Sequence, residues 1–256
     1  MAWHGGTSDV SGQRVAVVTG GANGLGLADA ERLAAGGYAV VVADLDAEAA
    51  ARAAERLGSD AIGVPVDVAD PEAVEGLFAR VDHELGRLDV LVNNAGISYP
   101  EPTIEVTEER WQRMIDVHLG GTFRCSRSAY PLLARQGGAI VNVSSIAAIL
   151  GAGRRASYSA AKGGIAALTR DLAMEWAPDG IRVNAVAPGV IETEILTENI
   201  ERGLLDPSTF DSRIPLGRLG RPHEIAEAVY FLAETATYIT GQVIVVDGGF
   251  TVSFAW

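Results

Sequence analysis

The chain has 256 residues, 48% apolar and 21% charged, enough for one large buried core and too apolar for a disordered segment. Its 33 Asp and Glu outweigh 20 Lys and Arg, giving a formal net charge of −13 at pH 7, which excludes nucleic acid and anionic membranes as expected partners because both attract basic surfaces. No apolar run approaches the roughly 20 residues of a membrane span.

The first ten residues, with Trp3 and His4 among them, show neither the basic nor the apolar stretch of a secretory signal, so a cytoplasmic location is expected. Short β-branched runs follow at Val15–Thr19, Ala39–Ala43, Gly63–Asp67, Val90–Asn93, Ala139–Ser144, Arg182–Ala187 and Val243–Asp247. Most are continuously apolar rather than alternating, the pattern of strands covered on both faces. Between them, Leu25–Ala35, Ala47–Leu57, Pro71–Leu85, Glu108–Leu133, Tyr158–Trp176 and His223–Ala233 have apolar residues at helical spacing. Asp70-Pro71-Glu72 reads as a helix start: a capping Asp, Pro in the first turn and an acid near the positive end of the dipole.

Repeated β-then-α order implies right-handed crossovers and a single doubly wound parallel sheet of about seven strands flanked by helices, a Rossmann-type α/β fold over residues 1–256. No linker, repeat or low-complexity tract interrupts it. Residues 192–221 lack strand periodicity, and 190–221 is the candidate substrate lid. The lone Cys125 allows no internal disulfide and reads as a small core or interface residue.

The first strand runs straight into Thr19-Gly20-Gly21-Ala22-Asn23-Gly24-Leu25-Gly26, with a helix behind it. Gly20 and Gly24 allow a tight turn and close backbone approach, and Gly26 lets the helix pack on the sheet. Free amides at the helix N-terminus then face a pyrophosphate. Asp44 ends the second strand, where a carboxylate accepts hydrogen bonds from the adenosine ribose hydroxyls and repels a 2′-phosphate. Neither Asn23 nor Leu45 supplies the positive charge that NADP would need, so NAD is the expected cofactor. The plainer alternative is that Asp44 only starts the loop Asp44-Leu45-Asp46.

Tyr158 and Lys162 are four residues apart, so on a helix both project from one face. Alone, that spacing is a common exposed pair. Joined to Thr19–Gly26, Asn93-Asn94-Ala95-Gly96, Ser145, Pro188-Gly189, Tyr238-Ile239-Thr240-Gly241 and Asp247-Gly248-Gly249, in that order and spacing, it resembles the short-chain dehydrogenase/reductases from Gly12 to Gly249.

The resemblance implies roles position by position. Asp67 and Val68 would hold the adenine ring; Leu25, Leu45, Asn94, Ala95 and Gly96 would lie along the cofactor, with Asn93 also stabilising the central strand. Pro188, Gly189, Ile191 and Thr193 would grip the nicotinamide and its carboxamide, and Val190 and Ile195 would lie near the substrate. Tyr158 would exchange the substrate's hydroxyl proton. A free phenol has a pKa of about 10, and a neighbouring ammonium together with the positive nicotinamide of NAD⁺ is expected to lower it. Lys162 would also reach the nicotinamide ribose, and Ser145 would hydrogen-bond the reacting oxygen; its neighbour Ser144 reads as structural. His118 stands where the family carries an asparagine whose backbone carbonyl holds a water of the proton relay. Either the backbone keeps that role, or the imidazole adds a titrating group of pKa about 6.5. His4, His83 and His223 form no metal-ligand spacing with it, and no metal is expected.

Arg154 and Arg155 precede Tyr158 and suit a substrate carboxylate or phosphate, a subunit contact or plain solvated charge. The tail Phe250–Trp256 suits burial of Phe254 and Trp256 at a subunit contact, and the resemblance implies a homotetramer or homodimer paired through Glu108–Leu133 and Tyr158–Trp176. Three functions stay open: oxidation of polyols, sugars or related small secondary alcohols with NAD⁺; reduction of 3-oxoacyl thioesters with NADPH; and, in a different class, dinucleotide binding without turnover. Asp44 favours the first.

Overall fold

The computed structural model describes residues 12–204 and 213–253, without the side chain of Ile195. Within them lie β1 (Val15–Thr19), α1 (Gly24–Ala35), β2 (Ala39–Asp44), α2 (Ala47–Leu57), β3 (Ala61–Pro65), α3 (Pro71–Leu85), β4 (Val90–Asn93), α4 (Glu108–Ile115), α5 (Gly121–Leu133), β5 (Gly138–Val143), α6 (Ala156–Trp176), β6 (Ile181–Pro188), α7 (Glu194–Glu201), α8 (Pro222–Tyr230) and β7 (Val243–Val246). The strands form one seven-stranded sheet in the order β3-β2-β1-β4-β5-β6-β7. All six pairings are parallel. The order reverses between β1 and β4, and such a switch point opens a crevice at the C-terminal strand ends.

The continuous apolar runs follow from burial on both faces. Val15, Val17, Leu91, Ile140 and Val183 point to one side, into a core with Leu77 and Phe78 of α3, Leu132 and Leu133 of α5, and Leu172 and Trp176 of α6. Ala16, Val18, Val40, Val42 and Val141 point to the other, against Ala30 and Leu33 of α1, Ala50 of α2, and Ile225 and Val229 of α8. Burying each larger side chain contributes about 1.5–3 kcal/mol. Cys125 is fully buried in the first core, and burial pushes its thiol up to about 12.

Polar contacts fix the sheet where hydrophobicity cannot. Asn93 Nδ2 donates to Asn142 Oδ1 (2.8 Å) and Ser126 Oγ (3.0 Å), and Asn142 Nδ2 donates to Thr169 Oγ1 (2.9 Å). At the opposite end of the strands, Arg14 and the Tyr38 hydroxyl both donate to the carboxylate of Glu234. Arg182 gathers the carbonyls of Leu232, Ala233 and Ala236.

Several elements differ from the sequence expectation. β3 spans Ala61–Pro65 rather than Gly63–Asp67. It is an edge strand whose last rung pairs Pro65 with Asp44, and beyond it the Asp67 carboxylate accepts from the Ala69 amide (2.9 Å), turning the chain. The expected helix Glu108–Leu133 contains a π-turn at Asp116–Gly120, between α4 and α5. A second π-turn, Phe231–Thr235, closes α8. Within 192–221, α7 forms where no helix is expected: Thr193 caps it by accepting from the Leu196 amide (3.3 Å), and Glu194 occupies its first turn. Residues 205–212 of the expected lid lie outside the described residues, as do Phe254 and Trp256. Among the described residues, no helix is long and apolar enough to cross a membrane.

Candidate active site

A cleft of about 650 Å³ opens over the C-terminal strand ends. One end is built by the glycine turn. Gly20 (φ +62°) and Gly24 (φ +56°) take left-handed conformations that other residues rarely adopt. A Cβ on Gly26 would lie 2.1 Å from the Gly20 carbonyl oxygen, so only glycine lets α1 start this close to the strand. Asn23 sits at the N-cap without a side-chain capping bond, leaving α1's first amides facing the cleft. Asn94 Nδ2 donates to the carbonyls of Thr19 (3.1 Å) and Gly20 (2.9 Å), while the Thr19 hydroxyl accepts from the amides of Asn94 (3.1 Å) and Ala95 (3.2 Å). Asn94 therefore shapes the turn from β4.

Asp44 lines the same end. Its carboxylate accepts from the Ala22 amide (3.1 Å) and the Asp46 amide (3.2 Å), which fixes it at the β2 terminus with lone pairs to spare. Leu45 lies beside it, 67% exposed, and Asp67 and Val68 line the adjoining wall. Arg113 reaches the Asp67 carboxylate at 3.4 Å. Pro188, Gly189, Val190, Ile191 and Thr193 follow β6 along the floor, and Gly189 packs so closely on Asp247 that a Cβ would lie 2.7 Å from its Cα. This lining suits a dinucleotide: exposed helix-end amides for phosphates, a fixed carboxylate for ribose hydroxyls, and apolar walls for rings.

At the other end α6 presents Tyr158 and Lys162 to the cleft. The Ser145 hydroxyl, just past β5, lines the cleft with Tyr158 and accepts from the Ala147 amide (3.1 Å). Ser144 instead donates to the Lys162 carbonyl (3.1 Å), tying β5 to α6. Lys162 is 3% exposed; its Nζ donates to the Val143 carbonyl (2.6 Å) and lies 5.6 Å from the Tyr158 ring centre. Burial lowers the Lys162 ammonium to about 7.

The Tyr158 phenol differs from the expectation. Burial pushes it above its ordinary value, and the Ser145 hydroxyl and the Arg155 charge only partly offset this. Lys162 is turned toward Val143, so the lowering expected of its ammonium is not built into the protein alone.

His118 comes from the π-turn, 2% exposed. Nε2 lies 2.8 Å from the Ile97 carbonyl, while Nδ1 has no partner. Burial and then the Lys162 charge push the imidazole down to about 3, so it stays neutral near neutrality. This depression argues for the alternative in which the backbone keeps the relay role and against an imidazole titrating near 6.5.

Sequence reasoning passed over Ile97, Ser98, Leu150, Arg213 and Phe250, which also line the cleft. Ser98 lies just past the Asn93–Gly96 segment and accepts from Arg155 (2.7 Å). Nothing in the periodicity marks the others, because loop geometry alone brings them in.

Residues 20–251 match the family model described as Enoyl-(Acyl carrier protein) reductase. The chain is 46% identical over 246 residues to the cis-4-hydroxycyclohexanecarboxylate dehydrogenase of Sinomonas cyclohexanicum, covering 93% of this chain and 97% of that one. It belongs to the short-chain dehydrogenase/reductase family. It is 40% identical to the meso-2,3-butanediol dehydrogenase of Serratia marcescens, over 94% of this chain and 95% of that one. Identity to the 3-oxoacyl-(acyl-carrier-protein) reductase of Escherichia coli strain K12 is 37%, over 92% and 96%. A short-chain type dehydrogenase/reductase from Mycobacterium marinum superposes with a TM-score of 0.88 at 32% identity, covering 96% of this chain and 98% of that one. As a member of this family the protein is an oxidoreductase that uses a nicotinamide dinucleotide.

Proposed function

We propose that the protein oxidises a small secondary alcohol with NAD⁺, or reduces the matching ketone with NADH. The observation that carries this reading is Asp44, held at the β2 end by two amides, in one cleft with Ser145, Tyr158 and Lys162. A fixed carboxylate there favours ribose hydroxyls over a 2′-phosphate. When bound, the nicotinamide supplies the hydride acceptor or donor. Ser145 orients the substrate oxygen, and Tyr158 takes its proton in oxidation or returns it in reduction. The buried Lys162, held on the Val143 carbonyl, stands beside Tyr158, and the π-turn that carries His118 leads the proton outward.

Val190 and α7, through Leu196 and Asn199, form the substrate side. The protein acts in the cytoplasm as a homotetramer or homodimer. Pairing along α5 and α6 is supported by Phe123 and Met174, which are exposed there.

Reduction of 3-oxoacyl thioesters with NADPH is the second reading, supported by the 37% identity to the E. coli reductase. Initial rates with a panel of alcohols, ketones and thioesters, each with NAD(H) and NADP(H), decide between them. The first reading expects NAD(H) preferred, and Asp44→Ala to narrow the preference. A preference for NADP(H) overturns it, and NADH binding without turnover of any panel member points to a non-catalytic role.

A further inference from the structure

We infer that Arg155 is a carboxylate receptor, and that the substrate of the site proposed above is a hydroxy acid or oxo acid whose carboxylate lies some bonds from the reacting carbon.

Four cations line the cleft, and among the described residues only Arg113 meets a carboxylate. Arg113 faces Asp67, Lys162 donates to the Val143 carbonyl, and Arg213 lies over the Phe250 ring at 4.5 Å. Arg155 is the guanidinium that stands beside Tyr158. Its side chain is half-buried against the cleft, its guanidinium carbon stands 5.6 Å from the Tyr158 ring centre, and its one hydrogen bond is to the neutral Ser98 hydroxyl (2.7 Å). Among the described residues it has no carboxylate partner. Glu101, whose amide bonds the Arg154 carbonyl, pairs with Arg110. A partly desolvated guanidinium without a counterion is costly, and a ligand anion satisfies it.

The local backbone is set for this placement. Arg154, just before it, is the one non-glycine among the described residues with positive φ (63°), and its carbonyl accepts from the Glu101 amide (2.9 Å). Such strain persists where the surroundings over-determine it, often at ligand sites. The turn sends Arg155 inward, while Arg154 is exposed and does not line the cleft. One monovalent cation beside one hydroxyl matches a carboxylate.

The inference rests on the alcohol–ketone reading, so its test needs a readout besides turnover. Protein saturated with NADH is titrated with butyrate and benzoate, which cannot react, and with butyramide and benzamide, following nucleotide fluorescence. The carboxylates are expected to bind and the amides not. Arg155→Met weakens carboxylate binding about 10- to 100-fold, and Arg155→Lys restores part of it. In turnover, the kcat/KM ratio of each hydroxy acid to its methyl ester falls by a similar factor in Arg155→Met. Equal binding of acids and amides, an unchanged ratio, or inorganic phosphate displacing benzoate at lower concentration than butyrate does would overturn the inference. If Arg155→Met does not fold, the acid-to-amide comparison in the unaltered protein decides. Carboxylate binding that depends on Arg155 in a protein that oxidises no alcohol upholds the inference and sinks the reading beneath it.

Discussion

The imidazole of His118 stands edge-on to the ring of Tyr158, their centroids 5.3 Å apart and their planes at 89°. The same imidazole faces Gly96, where a Cβ would come within 2.3 Å of its Cε1. His118 is thus a wedge that fixes the position of Tyr158, held by its contact with Ile97 and neutral throughout the working range.

Two variants separate wedge from backbone. His118→Asn keeps the π-turn and a polar side chain, and is expected to retain kcat within about tenfold with no new ionisation between pH 6 and 9. His118→Ala empties the space beside Tyr158 and is expected to cost about 2–3 kcal/mol in denaturant melts, with a larger fall in kcat. Equal kcat in the two would show that Tyr158 needs no wedge.

Because burial raises the Tyr158 phenol, oxidation should accelerate with pH while the phenolate is the minor form, about tenfold per unit. Ser145→Ala and Arg155→Met remove the two groups that lower it, so each should move the midpoint of that limb to higher pH. Tyr158→Phe should reduce turnover by about 10²-fold or more while changing NADH affinity little. Rate–pH profiles and a fluorescence titration check these outcomes; a midpoint unmoved in both variants contradicts the assignment.

Gly26→Ala places a methyl 2.1 Å from one backbone oxygen and 2.4 Å from Asn94 Nδ2. The turn and α1 must separate. Weakening of NADH binding by tenfold or more is expected, along with a lower melting temperature. An alanine variant with the affinity of the parent would show that the turn does not carry the phosphates.

Asp29, on α1, is fully buried, and neither carboxylate oxygen has a partner among the described residues. Burial holds its carboxyl well above 3.8, so the fold favours its protonated form relative to the unfolded chain. Its contribution to stability is complete below about pH 4 and declines as pH rises toward the folded-state pKa, by about 1.4 kcal/mol per unit. Asp29→Asn, neutral at every pH, should remove that slope. Melts of the two proteins should differ most at pH 8 and converge near pH 4; parallel curves would mean that Asp29 has a counterion.

The sheet was legible because burial on both faces leaves an unbroken apolar code, as in Val15–Thr19 and Val90–Asn93. The glycine turn and the Tyr158–Lys162 spacing were legible because steric exclusion and helical geometry are local. What stayed hidden depends on distant parts. The π-turn around His118 has no composition of its own. The bonds from Asn94 to the turn join positions 74 and 75 residues apart, and the raised Tyr158 phenol results from packing that no spacing encodes. For Arg155 the sequence left a substrate anion, a subunit contact and solvated charge open, because only the fold places it beside Ser98 and Tyr158.

Glu234 receives both Arg14 and Tyr38, and Arg14 lies 220 positions before it. At roughly 5–20 residues per second, the ribosome delivers that acid roughly ten to fifty seconds after the strands it anchors. Through that interval the first two strands emerge with a guanidinium and a phenol unmatched. A chain released early, anywhere before Glu234, would keep the residues of the nucleotide turn yet lose the clasp at the other end of the strands that support it.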